Sequence, residues 1–363
     1  MIDRFELFLG EANLKRHLGL ACSVGSALLA LQSLTGCTRA ELVSKSDAYD
    51  AAIWDANNKQ ILLNAVRASQ RAPMSFVGFG DVAASPSFSG SAGGTFNFIP
   101  SGLSTYALNP SVSYSGGFST YSIGNNNTKE FVQRIHDPMD PRVRKYFEEH
   151  KWPKEVAELL LIESVQFTPA QYAQLLRAKD NACANATPGR VDELCAQLSK
   201  DEETFRERGC PSRGGTSFLN TAREYCSMNR FQTVLRMMRL VHFPPPAGTS
   251  RTLEGLFYYL GELIAAQNYS AQPYVPEVLM EGPDGKHRTI KLFVVERGNP
   301  GERVAAVHVN FNGEDFFIPR PRVGAIDEER SMQVLDLVST ALMMITTKDS
   351  LPKANTVSLV AVR

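Results

Sequence analysis

The densest group of residues that could do chemistry is a short stretch around His136. His136, Asp137 and Asp140 lie close together in the chain, and imidazole and carboxylate groups serve as metal ligands and as general acids or bases. However, Asp140 directly precedes Pro141, a pair that is typical of a helix start. The sequence also contains no GxSxG, HExxH, P-loop or GxGxxG motif. We therefore predict no catalytic residue, no metal site and no cofactor, and interpret the protein as a non-enzyme.

Four cysteines within residues 183–226 indicate disulfide chemistry. No two of them have the CxxC spacing that is expected of a zinc site or a redox motif. Two disulfide bonds formed in an oxidising compartment are the natural interpretation of an even number of cysteines. We expect Cys183–Cys195 and Cys210–Cys226 because short loops are preferred, although four cysteines allow three connectivities.

Cys37 has the sequence setting of a cysteine that accepts lipid. Basic residues at 15–17 precede an uncharged run over 18–36, as in a signal peptide. The run ends in Leu34-Thr35-Gly36-Cys37, which looks like a bacterial lipobox. Small residues there fit the signal peptidase, and the thiol of Cys37 takes the diacylglycerol. We predict cleavage before Cys37 and a lipid anchor in a bilayer. A retained N-terminal membrane helix is the alternative.

A segment over residues 74–127 is nearly free of charge and rich in Ser, Gly, Asn and aromatic residues, with Asp81 as its one charged residue. Its alternating pattern predicts short strands. These could line an outer-membrane barrel formed by several subunits, pair with the sheet edge of a partner, or form a loosely packed flexible loop. We interpret the segment as a contact surface, because uncovered aromatic strands promote aggregation. The candidate contact residues are Phe96, Phe98, Val112, Tyr114, Phe118 and Tyr121.

The elements that position these residues predict an α+β fold. An N-terminal helix and the Ser/Gly-rich β segment are followed by a central disulfide-bonded helical region and a C-terminal antiparallel sheet with flanking helices. In the central region, Arg223, Arg230, Arg236 and Arg239 form a basic helical face, which is expected to be solvated. The predicted segments are a signal peptide over 1–36, an N-terminal helical segment over 37–73, the β segment over 74–127, the helical region with four cysteines over 128–249, and an α+β domain over 250–363.

The charge balance excludes one large class of partners. The chain has 38 basic and 38 acidic residues, so its formal net charge is zero. Nucleic-acid-binding proteins normally have a basic stripe or a high pI, and we therefore expect no nucleic-acid partner.

Three phrases of the sequence resemble a group of uncharacterised proteobacterial lipoproteins: NNKQILLNAVRASQRAPM, LEGLFYYLGELI and SMQVLDLVSTALMM. The similarity runs in the same order over most of the mature chain, although the four-cysteine stretch departs from the pattern. The resemblance implies an envelope address and an anchor, and it brings no activity or binding residue. Thr38 after the lipid-accepting cysteine, in place of aspartate, favours the periplasmic face of the outer membrane.

From these observations we expect a membrane-anchored, periplasm-facing structural or assembly component of a cell-envelope complex. Its partners would be the lipid bilayer, through acylated Cys37, and an envelope protein or further copies of the same chain. One alternative is a periplasmic hydrolase-type enzyme whose site is assembled from scattered residues. Another is a module that binds polysaccharide or lipid through the aromatic strands.

Overall fold

The structure, a computed structural model, divides the chain into two compact units, Met1–Asn57 and Asn58–Arg363. Within the first unit, the structure describes only residue 47 and residues 50–57, all of which are helical. The structure describes residues 47, 50–84, 87–97, 105–115, 119–125, 129–186, 189–211, 215–281, 287–301, 305–320 and 329–345. Cys37, the predicted site of lipid attachment, lies outside these residues.

Helices make up most of the described body. Two of them begin at a side-chain cap: Thr168 forms a capping box with Gln171, and the Asp140 side chain accepts a hydrogen bond from the backbone N–H of Arg142. The helices are α1 over residues 50–69, α2 Lys129–His136, α3 Pro141–Glu149, α4 Lys154–Leu161, α5 Pro169–Ala184, α6 Arg190–Glu207, α7 Tyr225–Leu240, α8 Leu253–Asn268 and α9 Ser331–Ile345.

The strands form small antiparallel sheets. Those before α2 are β1 Val77–Ala84, β2 Ser87–Asn97, β3 Thr105–Ser115 and β4 Ser119–Asn125, paired β1–β4 and β2–β3. A central sheet has the order β6–β5–β7, from Ser217–Leu219, Ile162–Gln166 and Ala247–Ser250. The last strands are β8 Glu277–Glu281, β9 His287–Lys291, β10 Glu296–Arg297, β11 Ala305–Phe311 and β12 Glu314–Pro319, paired β8–β9 and β10–β12–β11.

Helix α8 is the centre of the hydrophobic core. Leu256, Phe257, Leu260 and Leu263 on it are fully buried, and α2, α4, α9 and β10 pack around it. At Gly261 an added Cβ would lie 2.6 Å from the backbone nitrogen of Ser69, so the missing side chain allows α1 to approach α8 closely.

The α+β class is confirmed, with an N-terminal helix, a β segment, disulfide-bonded helices and C-terminal antiparallel strands. The central region is mainly helical, and β5, β6 and β7 add a three-stranded sheet that the sequence did not predict. Each of these strands is at most five residues long. Strands this short contain too few residues for alternation to be recognised in the sequence.

Candidate functional site

The strands before α2 form two antiparallel ladders, β1–β4 and β2–β3, which together we call the β-ribbon. Val77 pairs with Asn125 in the first ladder, and Asn97 pairs with Thr105 in the second. We call β1 with β2 the first arm and β3 with β4 the second arm. A register shift between Phe79 and Val82 interrupts the β1–β4 ladder.

The register of the β2–β3 ladder places its apolar residues on one face and most of its polar residues on the other. Directly paired residues and every second residue along a strand share a face. One face, the apolar face, holds Phe88, Gly90, Ala92, Gly94 and Phe96, paired with Tyr114, Val112, Pro110, Leu108 and Tyr106. The other, the polar face, holds Ser87, Ser89, Ser91, Gly93, Thr95 and Asn97, paired with Ser115, Ser113, Ser111, Asn109, Ala107 and Thr105.

The ladder brings three predicted contact residues onto one face. Phe96 lies in β2, and Val112 and Tyr114 lie in β3, all at positions of the apolar face. Tyr121 lies in β4 opposite Val82. Phe98 and Phe118 lie outside the described residues. The sequence prediction of alternating strands here agrees with the observed pairing, and that of a contact surface stays a prediction.

The base of the β-ribbon is fixed to the body at its first arm. The side chain of Asn64 donates to the backbone oxygen of Ser75 at 2.8 Å and accepts from the backbone N–H of Ser75 at 3.0 Å. Next to it, the buried ring of Phe76 lies 5.2 Å from that of Phe131 and 5.3 Å from that of Phe257. Phe76 precedes the first arm and Phe131 follows the second arm in the chain. One aromatic cluster therefore connects the bases of both arms to α8.

Above this base the strands of the β-ribbon contact mainly one another. Among the described residues from Lys129 to Ile345, no helix or strand packs extensively against β1, β2, β3 or β4. An isolated two-stranded hairpin is only marginally stable in water. A ladder of this kind becomes stable when a further strand or a helix packs against it.

A second candidate site is a charge network inside the body. The Arg236 guanidinium contacts Glu155 at 3.0 Å and Asp201 at 2.5 Å, and its Nη2 donates to the backbone oxygen of Glu277 at 2.9 Å. Arg239 contacts the other oxygen of Glu155 at 2.9 Å. Helices α4, α6 and α7 and strand β8 are thus connected through one set of buried charges.

This network overturns the expectation of solvation for Arg236 and Arg239, whereas Arg223 is exposed as expected. Arg236 is only 2% exposed, and Arg239 is largely enclosed between Glu155 and Glu158. Burial raises the pKa of Glu155, but Arg236 and Arg239 together outweigh burial and hold that pKa below its ordinary value. The carboxylate therefore stays charged and paired, which is the role of a structural ion pair and not that of a proton donor.

A cleft of about 300 Å³ lies beside the network, lined in part by Arg208, Tyr225 and Tyr274. The guanidinium of Arg208 lies 4.2 Å from the centre of the Tyr225 ring, and the Tyr274 hydroxyl donates to the backbone oxygen of Ala222. Burial raises the pKa of Tyr225, so this phenol stays protonated at neutral pH. Within the described residues lining this cleft we find no nucleophile held by a base.

The residues around His136 have structural partners. Asp140 caps α3 and contacts Arg142 at 2.6 Å, as the sequence predicts. The Nδ1 atom of His136 lies 2.7 Å from a carboxylate oxygen of Glu254 on α8. No group of three or more potential ligands that could hold a metal ion occurs in the described part of the chain.

The four cysteines pair as predicted. Cys183 on α5 is bonded to Cys195 on α6, with the Cα atoms 5.6 Å apart. Cys210, after α6, is bonded to Cys226 in the first turn of α7, with the Cα atoms 5.5 Å apart. Disulfide bonding is therefore confirmed, and it joins three successive helices next to the buried charge network.

Comparison with known proteins adds no relative. No family model, no curated protein and no solved structure matches this chain. Over the described residues, none of the helices has both the length and the apolar character needed to cross a membrane.

Proposed function

We propose that this chain is a lipid-anchored structural or assembly component of a cell-envelope complex, and that the β-ribbon is the element through which it assembles. The observation that carries the proposal is the β-ribbon itself, which is rooted in the hydrophobic core at Phe76 and has no extensive cover among the described residues from Lys129 onward. An uncovered ladder with an apolar face is an interaction surface or an aggregation hazard.

The proposed address rests on the sequence. The lipobox at Cys37 and the uncharged run before it are the features of an exported lipoprotein. Thr38 after that cysteine favours the periplasmic face of the outer membrane. Two disulfides fit an oxidising compartment, and the zero formal net charge gives no support for a nucleic-acid partner.

The test is co-purification of the full-length lipidated protein from membranes in mild detergent. Phe96→Asp with Tyr114→Asp places two charges on the apolar face. Burying a phenylalanine is worth roughly 1.5–3 kcal/mol, and a buried carboxylate adds a desolvation cost. We therefore expect the double variant to lose its partner, whether that is another protein or a further copy of this chain.

The matched control is Asn97→Asp with Ser115→Asp, which adds the same charge one residue away, on the polar face. We expect this control to keep its partner, and both variants to keep the thermal transition of the wild type, because the ribbon adds little to the core. Equal retention of the partner in both variants would exclude the apolar face as the assembly surface.

A further inference from the structure

The apolar face of the β2–β3 ladder has the dimensions of a membrane-crossing strand pair. Strands β2 and β3 each contain 11 residues, and a tilted strand needs about 9–11 residues to cross a bilayer. Phe88 pairs with Tyr114 at one end and Phe96 pairs with Tyr106 at the other. These aromatic pairs are about 26 Å apart along the strand, close to the height of the lipid-facing band of membrane strands, which aromatic girdles border.

The charge distribution fits the same environment. Asp81, the one charged residue of the β-ribbon, lies in β1 near its base, outside the β2–β3 ladder. The residues over 98–104, which join β2 to β3, contain no charge either. The β2–β3 ladder therefore contains no ionised side chain, and such a group is expensive inside hydrocarbon.

The polar face fits water and not a protein core. Its positions are occupied almost entirely by Ser, Thr, Asn and Gly, as on the interior side of strands that enclose water. A soluble loop does not require this arrangement, in which apolar residues occupy one face and small polar residues occupy the other.

The open edges of the ribbon identify what must lie beside it. A two-stranded ladder leaves backbone N–H and C=O groups unpaired along the outer edges of β2 and β3. Each unpaired group in hydrocarbon costs several kcal/mol, so strands cross membranes only in closed sheets. In a ring of identical chains, β2 of one copy can pair with β3 of the next, and head-to-tail contacts of this kind form a closed ring when the rotation between copies closes.

We propose that the β2–β3 ladder crosses a lipid bilayer, with its apolar face against acyl chains and its edges paired with the same ladder of further copies of this chain. The proposal deepens the proposed function, since it rests on the β-ribbon as the assembly element. It makes the second copy the protein partner and the bilayer the surface that covers the apolar face.

The experiment uses the full-length lipidated protein in vesicles of phosphatidylethanolamine and phosphatidylglycerol. Single cysteines are introduced by Ala92→Cys and Val112→Cys on the apolar face and by Ser91→Cys and Ser113→Cys on the polar face. Each is labelled with an environment-sensitive fluorophore. The four cysteines of residues 183–226 are in disulfides and do not react. Quenching is measured with nitroxide on lipid acyl chains and with aqueous iodide.

We expect acyl-chain nitroxide to quench the two apolar-face labels and iodide to quench the two polar-face labels. Protection of the apolar-face labels from both quenchers means that protein covers that face. This result would overturn membrane crossing and leave the assembly role intact. Quenching of all four labels by iodide alone would overturn membrane crossing. If the protein also fails to co-purify with further copies of itself, the assembly role is overturned as well. Non-reducing mapping of the two native disulfides checks that each variant has folded.

A second pair of variants tests the same proposal without labels. Val112→Lys places a charge on the apolar face, and Ser111→Lys places it on the polar face one residue away. A lysine on the lipid side near the middle of the bilayer costs enough to reduce the inserted population by at least about tenfold. We expect that loss in vesicle-bound, alkali-resistant protein for Val112→Lys and less than about twofold for Ser111→Lys. Equal behaviour of the two variants would contradict the proposal.

Discussion

Arg236 depends on carboxylates that are far away in the sequence. Glu155 lies 81 residues before it and Asp201 lies 35 residues before it. The charge of a buried arginine is acceptable only when such partners replace its hydration, because an unpaired buried charge costs several kcal/mol. The network therefore forms only when α4, α6 and α7 have packed together.

We expect Arg236→Met to lower the free energy of unfolding by roughly 3–5 kcal/mol at neutral pH. Methionine fills a similar volume but leaves Glu155 and Asp201 without their shared cation, and breaking one partner of a buried pair has a cost of this size. Denaturant unfolding followed by circular dichroism measures the effect. The control is Arg144→Met, which removes an exposed partner of Glu148 on α3 and should change stability by less than about 0.5 kcal/mol.

The difference in the free energy of unfolding between wild type and Arg236→Met should be smaller at acid pH. Because the folded-state pKa of Glu155 is below its ordinary value, its stabilising effect is fully present above the ordinary carboxyl pKa of roughly 4.3. That contribution is lost as the pH falls through the lowered pKa. The stability difference between wild type and Arg236→Met should therefore shrink below about pH 4. A difference that is constant from pH 7 to pH 3 would show that the variant acts through packing alone.

At the residue scale, the sequence is informative wherever the partner is local. The Asp140 cap and the Thr168–Gln171 capping box depend on residues within one turn, and both are recognisable in the sequence. The burial of Arg236 and Arg239 could not be predicted, because helical periodicity reports which residues share a face and not what packs against that face. The sequence does not show that Glu155 on α4 packs against these two arginines.

At the element scale, the strands of the β-ribbon were predicted only in part, for reasons that lie in their composition. The alternating pattern predicts short strands within residues 74–127. The observed β2 begins at Ser87 and runs through Gly93-Gly94, and β3 includes Pro110. Glycine and proline are disfavoured inside strands, so the sequence pattern there is typical of loops. Their presence in a long ladder is understandable if neighbouring surfaces, and not intrinsic propensity, stabilise the ribbon.

Also at the element scale, the disulfides hold together helices that have weak apolar faces. Helix α6 buries only a few apolar residues, among them Leu194 and Leu198. We expect the double substitution of Cys210 and Cys226 by serine to lower the free energy of unfolding by about 3 kcal/mol, the value for closing a loop of roughly 15 residues. Thermal unfolding with and without reductant measures this. A wild-type protein whose unfolding is insensitive to reductant would contradict the expectation.

At the scale of the whole molecule, the lipid anchor and the β-ribbon are complementary parts of the proposed assembly. A diacylglycerol supplies two acyl chains, which is enough for stable membrane anchoring, whereas one chain gives only reversible binding. Fewer than 40 residues separate Cys37 from Val77 at the base of the ribbon. An anchor that close in the chain raises the effective concentration of the ribbon at the membrane surface and of one copy relative to the next.

The anchor can be tested directly by the substitution Cys37→Ser. Only a thiol can accept the diacylglycerol, and the peptidase acts after that modification, so the variant should remain unprocessed and unlabelled when cells are fed an alkyne fatty acid. Cys22→Ser is the matched control, since this cysteine lies within the predicted signal peptide and its loss should leave labelling unchanged. Because the anchor is the first step of the proposed assembly, Cys37→Ser should also prevent co-purification of further copies. Equal labelling of wild type and Cys37→Ser would end the lipoprotein hypothesis. The ribbon would then have to reach its membrane or partner without help from an anchor.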